Sequence, residues 1–338
     1  MVRIRKKIIP ALMSFVVALG IAVNATGCSQ SALSNSIVEG SSISESTVSS
    51  SKSEQVSNAA KSIAATAATP LSGAKLKVNY LDVGQGDSEF VELPNKQTML
   101  IDAGNPENGR GIVSYIISRG YHKIDYLIAT HPHSDHIGGM ATVIDSLDIG
   151  TIYMPKTSSA DTPTTSVYRR LLKAIQNKGL KIHTAKAGVT ILNTGNLSAQ
   201  MLAPNGTGYG DLNQYSAVIM LTYGKNKFLF MGDAGNVSEA QITANVKADV
   251  LKVGHHGSRT ATGQEFLNKV HPKQAVIEVG AGNKYGHPAQ QTLNRLKAIG
   301  ATVYRTDQYG TIIFTSDGNT IAVNKNASSI KEQAPPIN

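Results

Sequence analysis

The sequence predicts a fold of the α/β (α+β) class, in which two β-sheets are covered by helices on their outer faces. Strand-like runs and amphipathic helix-like segments alternate from Lys75 onward. The early strands come as neighbouring runs, which favours antiparallel hairpins, and helices are interspersed among all of the strands. With 338 residues and 41% hydrophobic content, the chain can bury a substantial core, which excludes disorder of the whole.

The early strand-like runs are followed by turns marked by Gly or Pro. The predicted strands are, in order, Leu76–Leu81, Glu89–Leu93, Thr98–Asp102, Ile124–Thr130, Val218–Tyr223, Phe228–Gly232, Val250–Val253, Ala275–Val279, Thr302–Tyr304 and Thr311–Thr315. The predicted helices are Ile112–Arg119, Ile137–Leu147, Val167–Asn177, Val237–Asn245, Gln264–Val270 and Pro288–Ile299.

The first 28 residues have the layout of an export signal. Four Lys and Arg residues within the first seven precede an apolar run from Ile8 to Val23, and small residues lead to Cys28, the one Cys of the chain. We expect residues 1–27 to be a lipoprotein-type signal peptide and Cys28 to be lipidated, with an ordinary signal peptide or an uncleaved anchor as alternatives. All three place the protein outside the cytoplasmic membrane, either lipid-anchored or secreted.

Residues 28–72 differ in composition from the rest of the chain. Residues 29–72 include 15 Ser and no aromatic side chain. Such a segment cannot bury enough apolar surface to offset its ordering entropy, so we expect a disordered tether. The folded domain is therefore predicted to span residues 73–338.

The densest cluster of reactive side chains follows the apolar strand that ends at Thr130. Four potential metal ligands fall within six residues, and a turn after a strand can bring them into one small volume. A single Cys excludes a site built from several thiolates, so His and carboxylates must bind any metal, and Zn²⁺, Mn²⁺ and Fe²⁺ all remain open. The loop reads His131-Pro132-His133-Ser134-Asp135-His136.

Two later strands also end in polar groups. One runs from Phe228 into Gly232 and Asp233, which can deliver a carboxylate to the same edge of a sheet. The other runs into His255 and His256. Since adjacent side chains diverge on an extended backbone, we expect one of these imidazoles to bind metal and the other to face substrate.

Six short motifs follow one another along the chain. They are Asp82-Val83-Gly84-Gln85-Gly86-Asp87-Ser88, Ile101-Asp102-Ala103-Gly104, the loop from Thr130 to Gly139, Gly232-Asp233, His255-His256-Gly257-Ser258 and Asn283-Lys284-Tyr285-Gly286-His287-Pro288. In this order they resemble the metallo-β-lactamase superfamily, and in particular the extracytoplasmic hydrolase domain of the competence protein that brings DNA across bacterial membranes. The resemblance covers about Leu76 to Thr315 and does not extend to that family's membrane channel, so we expect no role as a transport pore. It implies an αββα sandwich with a two-metal site at one edge of the sheets.

The resemblance also implies a ligand set for two divalent ions, Zn²⁺ or Mn²⁺. A third imidazole that the superfamily usually supplies to the first metal has no counterpart here, where the chain reads Asn213-Gln214-Tyr215-Ser216. The first metal is therefore expected to bind more weakly. By motif, the first metal is assigned to His131 and His133, the second to Asp135, His136 and His256, and the bridge between them to Asp233.

Further roles are assigned around these ligands. Asp102 and Asp82 are expected behind the ligands, where carboxylates orient metal-binding imidazoles, with a simple turn role as the alternative for Asp102. Asp135 or Asp233 is expected to accept a proton from water, and His255 and His287 to assist catalysis, although His287 could instead cap the next helix. Substrate contacts are predicted for Ser258, Tyr285, His287 and Lys252.

These features together predict a metal-dependent hydrolase of phosphodiester bonds, with extracellular DNA as the favoured substrate. The chain carries a formal charge of +9, and residues 73–338 hold 26 Lys and Arg against 20 Asp and Glu. A positive surface favours polyanions such as DNA or teichoic acid, and equally suits a face near an anionic membrane. The alternatives are a phosphodiesterase that removes phosphocholine from cell-wall teichoic acid and a non-catalytic DNA-binding lipoprotein, whereas a β-lactamase is disfavoured.

Overall fold

Residues 73–324 form a four-layer sandwich of helices and two β-sheets in a computed structural model that describes this part of the chain. This confirms the predicted fold class. The predicted signal peptide, tether and lipidated Cys28 lie outside the described residues. Within residues 73–324, no helix has both the length and the apolar character needed to cross a membrane.

Fifteen strands build the two sheets. They are β1 (Leu76–Tyr80), β2 (Glu89–Glu92), β3 (Thr98–Ile101), β4 (Lys123–Ile128), β5 (Asp148–Pro155), β6 (Ile182–Ala185), β7 (Thr190–Thr194), β8 (Leu197–Ala203), β9 (Val218–Tyr223), β10 (Asn226–Phe230), β11 (Val250–Lys252), β12 (Gln274–Ile277), β13 (Thr302–Arg305), β14 (Ile312–Ser316) and β15 (Ile321–Val323) among the described residues.

Eight α-helices accompany these strands in the described part of the chain. They are α1 (Gly109–Ser118), α2 (Ser134–Ile137), α3 (Met140–Ser146), α4 (Ser166–Asn177), α5 (Asn236–Gln241), α6 (Gln264–Val270), α7 (Gln290–Ala298) and α8 (Thr306–Tyr309). The helix α4 begins where the Thr165 hydroxyl accepts a hydrogen bond from the Tyr168 amide at 3.2 Å, which satisfies a free helix-end donor.

The two sheets share one apolar core. The first sheet has the order β15-β14-β1-β2-β3-β4-β5-β6, and the second the order β13-β12-β11-β10-β9-β8-β7. Side chains of both sheets, such as Val78, Phe314, Leu221 and Phe228, pack into this central core. Two further clusters join the outer face of the first sheet to α1, α3 and α4, and the outer face of the second to α6 and α7. This is the αββα arrangement.

Parallel strand pairs determine where the polar loops meet. Strands β3 to β6 are mutually parallel in the first sheet, and β10 to β13 are parallel in the second. Because the carboxyl ends of parallel strands lie at the same edge, the loops after β3, β4, β10 and β11 come together. The loops after β4, β10 and β11 carry the predicted metal ligands, and the loop after β3 carries Asp102.

Some element boundaries differ from the sequence prediction. The predicted helix Ile137–Leu147 is two helices, because Gly138 and Gly139 pass against the loop after β3. A Cβ on Gly139 would lie 2.3 Å from the Ala103 carbonyl oxygen, so only glycine fits there. Helix α5 ends at Gln241 and not at Asn245. Strands β5 to β8 and β15 were not predicted, and several, such as β6 with its exposed first three residues, lack a clear apolar alternation.

Candidate metal centre

The loop after β4 brings two imidazoles together edge to face, with an angle of 82° between the His131 and His133 rings. The His131 ring is fully buried, and its Nε2 atom lies 3.0 Å from His133 Nδ1. On its other side, His131 Nδ1 lies 3.1 Å from the Thr130 hydroxyl and 3.3 Å from the Ser216 hydroxyl. The Nε2 atom of His131 and the Nδ1 atom of His133 are therefore positioned to bind one metal ion together.

Asp102 fixes the third imidazole of the loop. One carboxylate oxygen accepts a hydrogen bond from His136 Nδ1 at 2.7 Å, and the other accepts the Thr130 amide at 2.8 Å. Asp102 itself has a left-handed backbone, with φ of 56°, which turns its side chain beneath the loop. With Nδ1 engaged in this way, His136 directs Nε2 toward the opposite side of the ring.

Asp233 places its two oxygens against two different sets of side chains. Its Oδ2 atom lies 3.7 Å from His131 Nε2, while its Oδ1 atom lies 3.2 Å from His136 Nε2. The side chain is almost fully buried, and the Asp233 amide donates to the Ser216 hydroxyl at 3.0 Å. A carboxylate held in this way can bridge two cations.

The turn after β11 separates its paired histidines. Both residues have left-handed backbone angles, with φ of 48° at His255 and 51° at His256. His256 donates from Nδ1 to the Glu278 carbonyl at 2.9 Å, which points Nε2 to within 3.4 Å of Asp135 Oδ2. His255 remains partly exposed, with Nε2 3.6 Å from Asp233 Oδ2.

These contacts define two ligand groups, each with its donor atoms within 4.8 Å of one another. Several buried donor atoms that face the centre, namely His136 Nε2, His256 Nε2 and Asp233 Oδ1, make no hydrogen bond within residues 73–324. Unsatisfied buried nitrogen and carboxylate atoms that converge on one place fit divalent cations. The first ligand group is His131, His133 and Asp233, and the second is Asp135, His136 and His256.

Opposite charges shift the pKa values of these groups strongly. Burial alone would raise the pKa of Asp233, but the imidazoles of His136 and His256 outweigh it and hold that pKa well below its usual range. Burial would lower the pKa of His256, yet Asp233 and Asp87 raise it to about 10. The pKa of His136 is likewise raised, against burial, by Asp233 and Asp102. Without metal, both imidazoles are therefore protonated at neutral pH.

Asp87 supports this centre and was not assigned a role from the sequence, although it lies within the first quoted motif. Its side chain is fully buried, with Oδ1 3.2 Å from His256 Nδ1. The preceding Gly86, at φ of 153°, lets the backbone approach the ligand loop, because a Cβ there would lie 2.4 Å from the Asp135 carbonyl oxygen. The last Asp of that motif was therefore the feature of the sequence from which the supporting role of Asp87 could have been predicted.

The prediction that Lys252 contacts substrate is wrong. The Lys252 ammonium group is fully buried, where it forms an ion pair with Asp87 and donates to the Val253 carbonyl at 3.1 Å. Burial would lower the pKa of Lys252, but Asp87 and Glu278 raise it instead. Lys252 is thus an internal counterion behind the centre and cannot reach a phosphate in solvent.

Two other predicted roles are also corrected. Asp82 does not stand behind the metal ligands, because its carboxylate accepts the Gly84 amide at 3.2 Å within its own turn. Ser258 does not contact the open part of the site, since its hydroxyl lies 3.0 Å from the Thr260 hydroxyl within the next turn. Both residues shape loops next to the centre.

A cleft of about 320 Å³ opens over the ligand groups. Tyr285 and His287 form one wall, with nearly parallel rings whose centroids are 5.8 Å apart. Burial, together with His255, lowers the pKa of His287 to about 4, so this imidazole is neutral at neutral pH. His287 does not cap α7, because the residue before that helix is Ala289. The lining residues are Gln85, His133, Ser134, Asp135, Asn213, Asp233, His255, His256, Tyr285 and His287.

A family model described as the metallo-beta-lactamase superfamily matches residues 81–280, which is more than half of the chain. The chain belongs to the metallo-β-lactamase superfamily. The superfamily match covers β2 to β12 and every member of the two ligand groups. Proteins of this fold bind divalent metals, often two, in agreement with the converging unsatisfied donors.

Three curated bacterial proteins are similar in sequence to this metallo-β-lactamase chain. ComE operon protein 3 of Bacillus subtilis is 31% identical over 256 residues, which covers 70% of this chain and 32% of that protein. Recombination protein 2 of Haemophilus influenzae is 30% identical over 243 residues, which covers 70% of this chain and 28% of that protein. Competence protein ComA of Neisseria gonorrhoeae is 29% identical over 242 residues, covering 70% and 32%. The chain spans about a third of the length of these curated relatives.

Solved structures are more distant in sequence. Igni18, a metallo hydrolase of Ignicoccus hospitalis, is 16% identical with a TM-score of 0.47, and the match covers 71% of this chain and 98% of that one. CmlA, a diiron β-hydroxylase of Streptomyces venezuelae, is 19% identical with a TM-score of 0.47, covering 70% and 53%.

Proposed function

We propose that this metallo-β-lactamase-fold protein is a metal-dependent hydrolase of phosphodiester bonds that processes DNA outside the cytoplasmic membrane. The observation that carries the proposal is the bridging geometry of Asp233, whose two oxygens face separate ligand groups beneath an open cleft. Similarity to a competence protein, ComA, and to a recombination protein supports DNA as the substrate. The extracytoplasmic location and the lipid anchor on Cys28 rest on the sequence alone.

The two ligand groups would hold two divalent ions, Zn²⁺ or Mn²⁺. When bound, paired cations lower the pKa of water and stabilise the negative charge on the attacking and leaving oxygens of a phosphodiester. The protein supplies the rest. Asp102 and the Glu278 carbonyl orient His136 and His256 through their Nδ1 atoms, so their Nε2 atoms need not reorganise when metal binds.

Residues that line the cleft would accept the proton of water and hydrogen-bond the phosphate. Asp135 or Asp233 is available to accept a proton from water in the sense that each is ionised, because nearby imidazoles hold the pKa of each carboxyl below its usual range. His255 and His287 border the cleft and can hydrogen-bond the phosphate or the leaving oxygen. Since the pKa of His287 is about 4, its neutral ring suits hydrogen bonding better than proton donation as an imidazolium.

The decisive test is turnover by the purified full chain loaded with Mn²⁺ or Zn²⁺. Plasmid DNA, linear DNA and bis-p-nitrophenyl phosphate are each offered, with a p-nitrophenyl phosphocholine ester as the competing substrate. Cleavage of DNA and of the simple diester supports the proposal. Turnover of the phosphocholine ester alone would favour a cell-wall phosphodiesterase. No turnover with either metal, together with DNA binding that Asp233→Ala leaves unchanged, would favour a binding protein.

Asn213 is a further candidate ligand, because it lines the cleft over the two ligand groups. The superfamily's usual third imidazole for the first metal is missing, but the Asn213 side-chain oxygen is buried, lines the cleft and makes no hydrogen bond within the described residues. Its backbone is held in place, because the Asn213 carbonyl accepts the Ser216 amide at 3.0 Å and Ser216 in turn contacts His131. An amide oxygen can therefore serve as the missing ligand.

We expect Asn213→Ala to weaken one of two Mn²⁺-binding steps by about 10- to 100-fold, a loss of the size seen when groups around a metal site are removed. Equilibrium dialysis and the electron paramagnetic resonance spectrum of bound Mn²⁺ report this without any activity measurement. Asn193→Ala, which alters an exposed asparagine of β7, is the matched control. Two unchanged binding steps in Asn213→Ala would rule out this role.

Metal binding is expected to release protons. His136 and His256 carry protons at neutral pH because their pKa values are raised, the latter to about 10, and a cation must displace the proton from each ligating Nε2. The apparent Kd should therefore fall as pH rises from 6 to 9, by up to about tenfold per pH unit for each proton released.

Calorimetric titration of the metal-free protein in buffers with different ionisation enthalpies measures the number of protons released. The exposed His122 offers a control, since His122→Gln should leave that number unchanged. A binding enthalpy that is the same in every buffer would contradict the expectation.

A further inference from the structure

We propose that a lysine-lined cavity, at the edge of the second sheet opposite the metal centre, binds the phosphate groups of a phosphodiester polymer. The cavity has a volume of about 510 Å³, and none of its lining residues belongs to the two ligand groups or lines the cleft above them. The identity of the polymer as substrate rests on the proposed function, but the binding site itself does not. We call it the lysine cavity, and its charged and titratable lining residues are Lys225, Lys227, Lys247, Asp249, His271 and Lys273.

Parallel strands bring these lysines together. Strands β10, β11 and β12 run in parallel, so the segments that precede them meet at one edge of the sheet. Lys225 and Lys227 lie at the start of β10, Lys247 precedes β11, and Lys273 precedes β12. The metal centre lies at the carboxyl ends of the same strands. The length of β10 alone separates the two edges by roughly 15 Å, at about 3.3 Å per residue.

The charge of the lysine cavity is only partly compensated. Asp249 is the one acid among its lining residues, and its carboxylate already accepts the Lys227 amide at 3.0 Å and faces Lys273 Nζ at 3.5 Å. Within residues 73–324, no carboxylate lies within 4.0 Å of the ammonium groups of Lys225, Lys227 or Lys247. Three ammonium groups therefore remain available in one concave surface, which is the chemistry that binds phosphate oxygens.

The cleft over the metal centre lacks this kind of charge. None of its lining residues in the described part of the chain is Lys or Arg, and Lys252 is buried behind it. One lysine, Lys284, lies beside the cleft, with Nζ 5.3 Å from the centroid of the Tyr285 ring. A long polyanion would thus gain most of its lysine contacts at the lysine cavity, where neutralised phosphates release their counterions. A small diester is too short to reach both places. The lysine cavity should therefore affect binding of polymers and leave turnover of small substrates unchanged.

The test compares two triple variants that remove the same charge. Lys225→Gln/Lys227→Gln/Lys247→Gln replaces the three unpaired ammonium groups of the lysine cavity by neutral amides. Lys173→Gln/Lys181→Gln/Lys186→Gln removes three exposed lysines on the side of the first sheet. Binding of a fluorescein-labelled 30-nucleotide single-stranded DNA is measured by anisotropy over a range of salt concentrations, with metal-free full-length protein in EDTA. Turnover of bis-p-nitrophenyl phosphate by the metal-loaded proteins is measured separately.

We expect the cavity variant to raise the Kd for DNA at least tenfold and to reduce the slope of log Kd against log salt by about two, at about 0.7 per lost phosphate contact on single strands. The control variant should stay within about twofold of the unaltered protein. Turnover of bis-p-nitrophenyl phosphate should be unchanged in both.

Equal loss of DNA affinity in the two variants would overturn the proposal, since it would reflect net charge alone. Sedimentation with phosphatidylglycerol vesicles provides a second check. If the cavity variant kept its DNA affinity but no longer sedimented with the vesicles, the proposal would also be overturned, because the cavity would then contact a membrane. Absence of diester hydrolysis would count against the proposed function only, as the binding measurement needs no metal.

Discussion

Asp233→Asn is expected to reduce hydrolysis by about 100- to 1,000-fold, equivalent to several kcal/mol of barrier. Asparagine has almost the same size but only one oxygen, so it cannot present an acceptor to both ligand groups. In the unaltered protein the Asp233 oxygens lie 3.7 Å from His131 Nε2 and 3.2 Å from His136 Nε2. The loss should appear mainly in kcat, with bound metal falling from two ions toward one.

The measurement combines steady-state kinetics with metal analysis after dialysis. Asp145→Asn, at an exposed carboxylate of α3, is the matched control and should retain both activity and metal content. A circular dichroism spectrum identical to that of the unaltered protein would exclude misfolding as the cause. If Asp233→Asn kept two bound ions and near-normal kcat, the bridging role on which the proposed function depends would be wrong.

The metal centre was largely accessible from the sequence because its residues follow strands. Asp102, Asp233 and the loop beginning at His131 each come directly after an apolar strand, and parallel strands deliver such residues to a common edge. The predicted bridging role of Asp233 between the two metal sites agrees with its position at that common edge. What the sequence could not provide is the direction of each ring, which depends on hydrogen bonds to Asp102 and the Glu278 carbonyl.

Lys252 shows why some of the predictions from the sequence were wrong. Next to His255 and His256 in the chain, a lysine is naturally interpreted as a phosphate contact, because lysine is seldom buried without a partner. Its partner, Asp87, lies 165 residues earlier in the chain, and no local pattern links the two. The edge strands β6, β7 and β15 were missed for a related reason, since exposed positions interrupt their apolar alternation.

The same buried ion pair yields the largest expected effect on stability. Three carboxyl residues, Asp87, Glu89 and Glu278, lie close together behind the metal centre, and Lys252 is the cation among them. Burial, followed by Asp87, raises the pKa of Glu278 to about 8 even with Lys252 in place. Lys252→Met would keep much of the side-chain volume but remove the ammonium group paired with the Asp87 carboxylate, leaving His256 Nδ1 at 3.2 Å and His136 Nδ1 at 3.8 Å as its remaining cationic partners.

We expect Lys252→Met to lower the free energy of unfolding by about 3 to 5 kcal/mol, the usual cost of breaking a buried pair by removing one partner. For a domain of this size, the melting temperature should fall by about 6 to 20 °C. Thermal unfolding of the metal-free protein measures this directly, and Lys297→Met, at an exposed position of α7, is the control for the same chemical change.

The pH dependence distinguishes lost charge compensation from lost packing. Burial and mutual repulsion already raise the pKa values of Glu89 and Glu278 in the folded protein, and removal of Lys252 raises both further while Asp87 loses the strongest influence that lowers its pKa. Stability is then retained at low pH and lost as pH rises, and the deficit relative to the unaltered protein should be smaller at pH 5 than at pH 8. Lys252→Met/Asp87→Asn removes the uncompensated charge and should recover much of the stability at pH 8. A deficit that is independent of pH, and that Asp87→Asn does not reduce, would mean that Lys252 contributes through packing and not as a counterion.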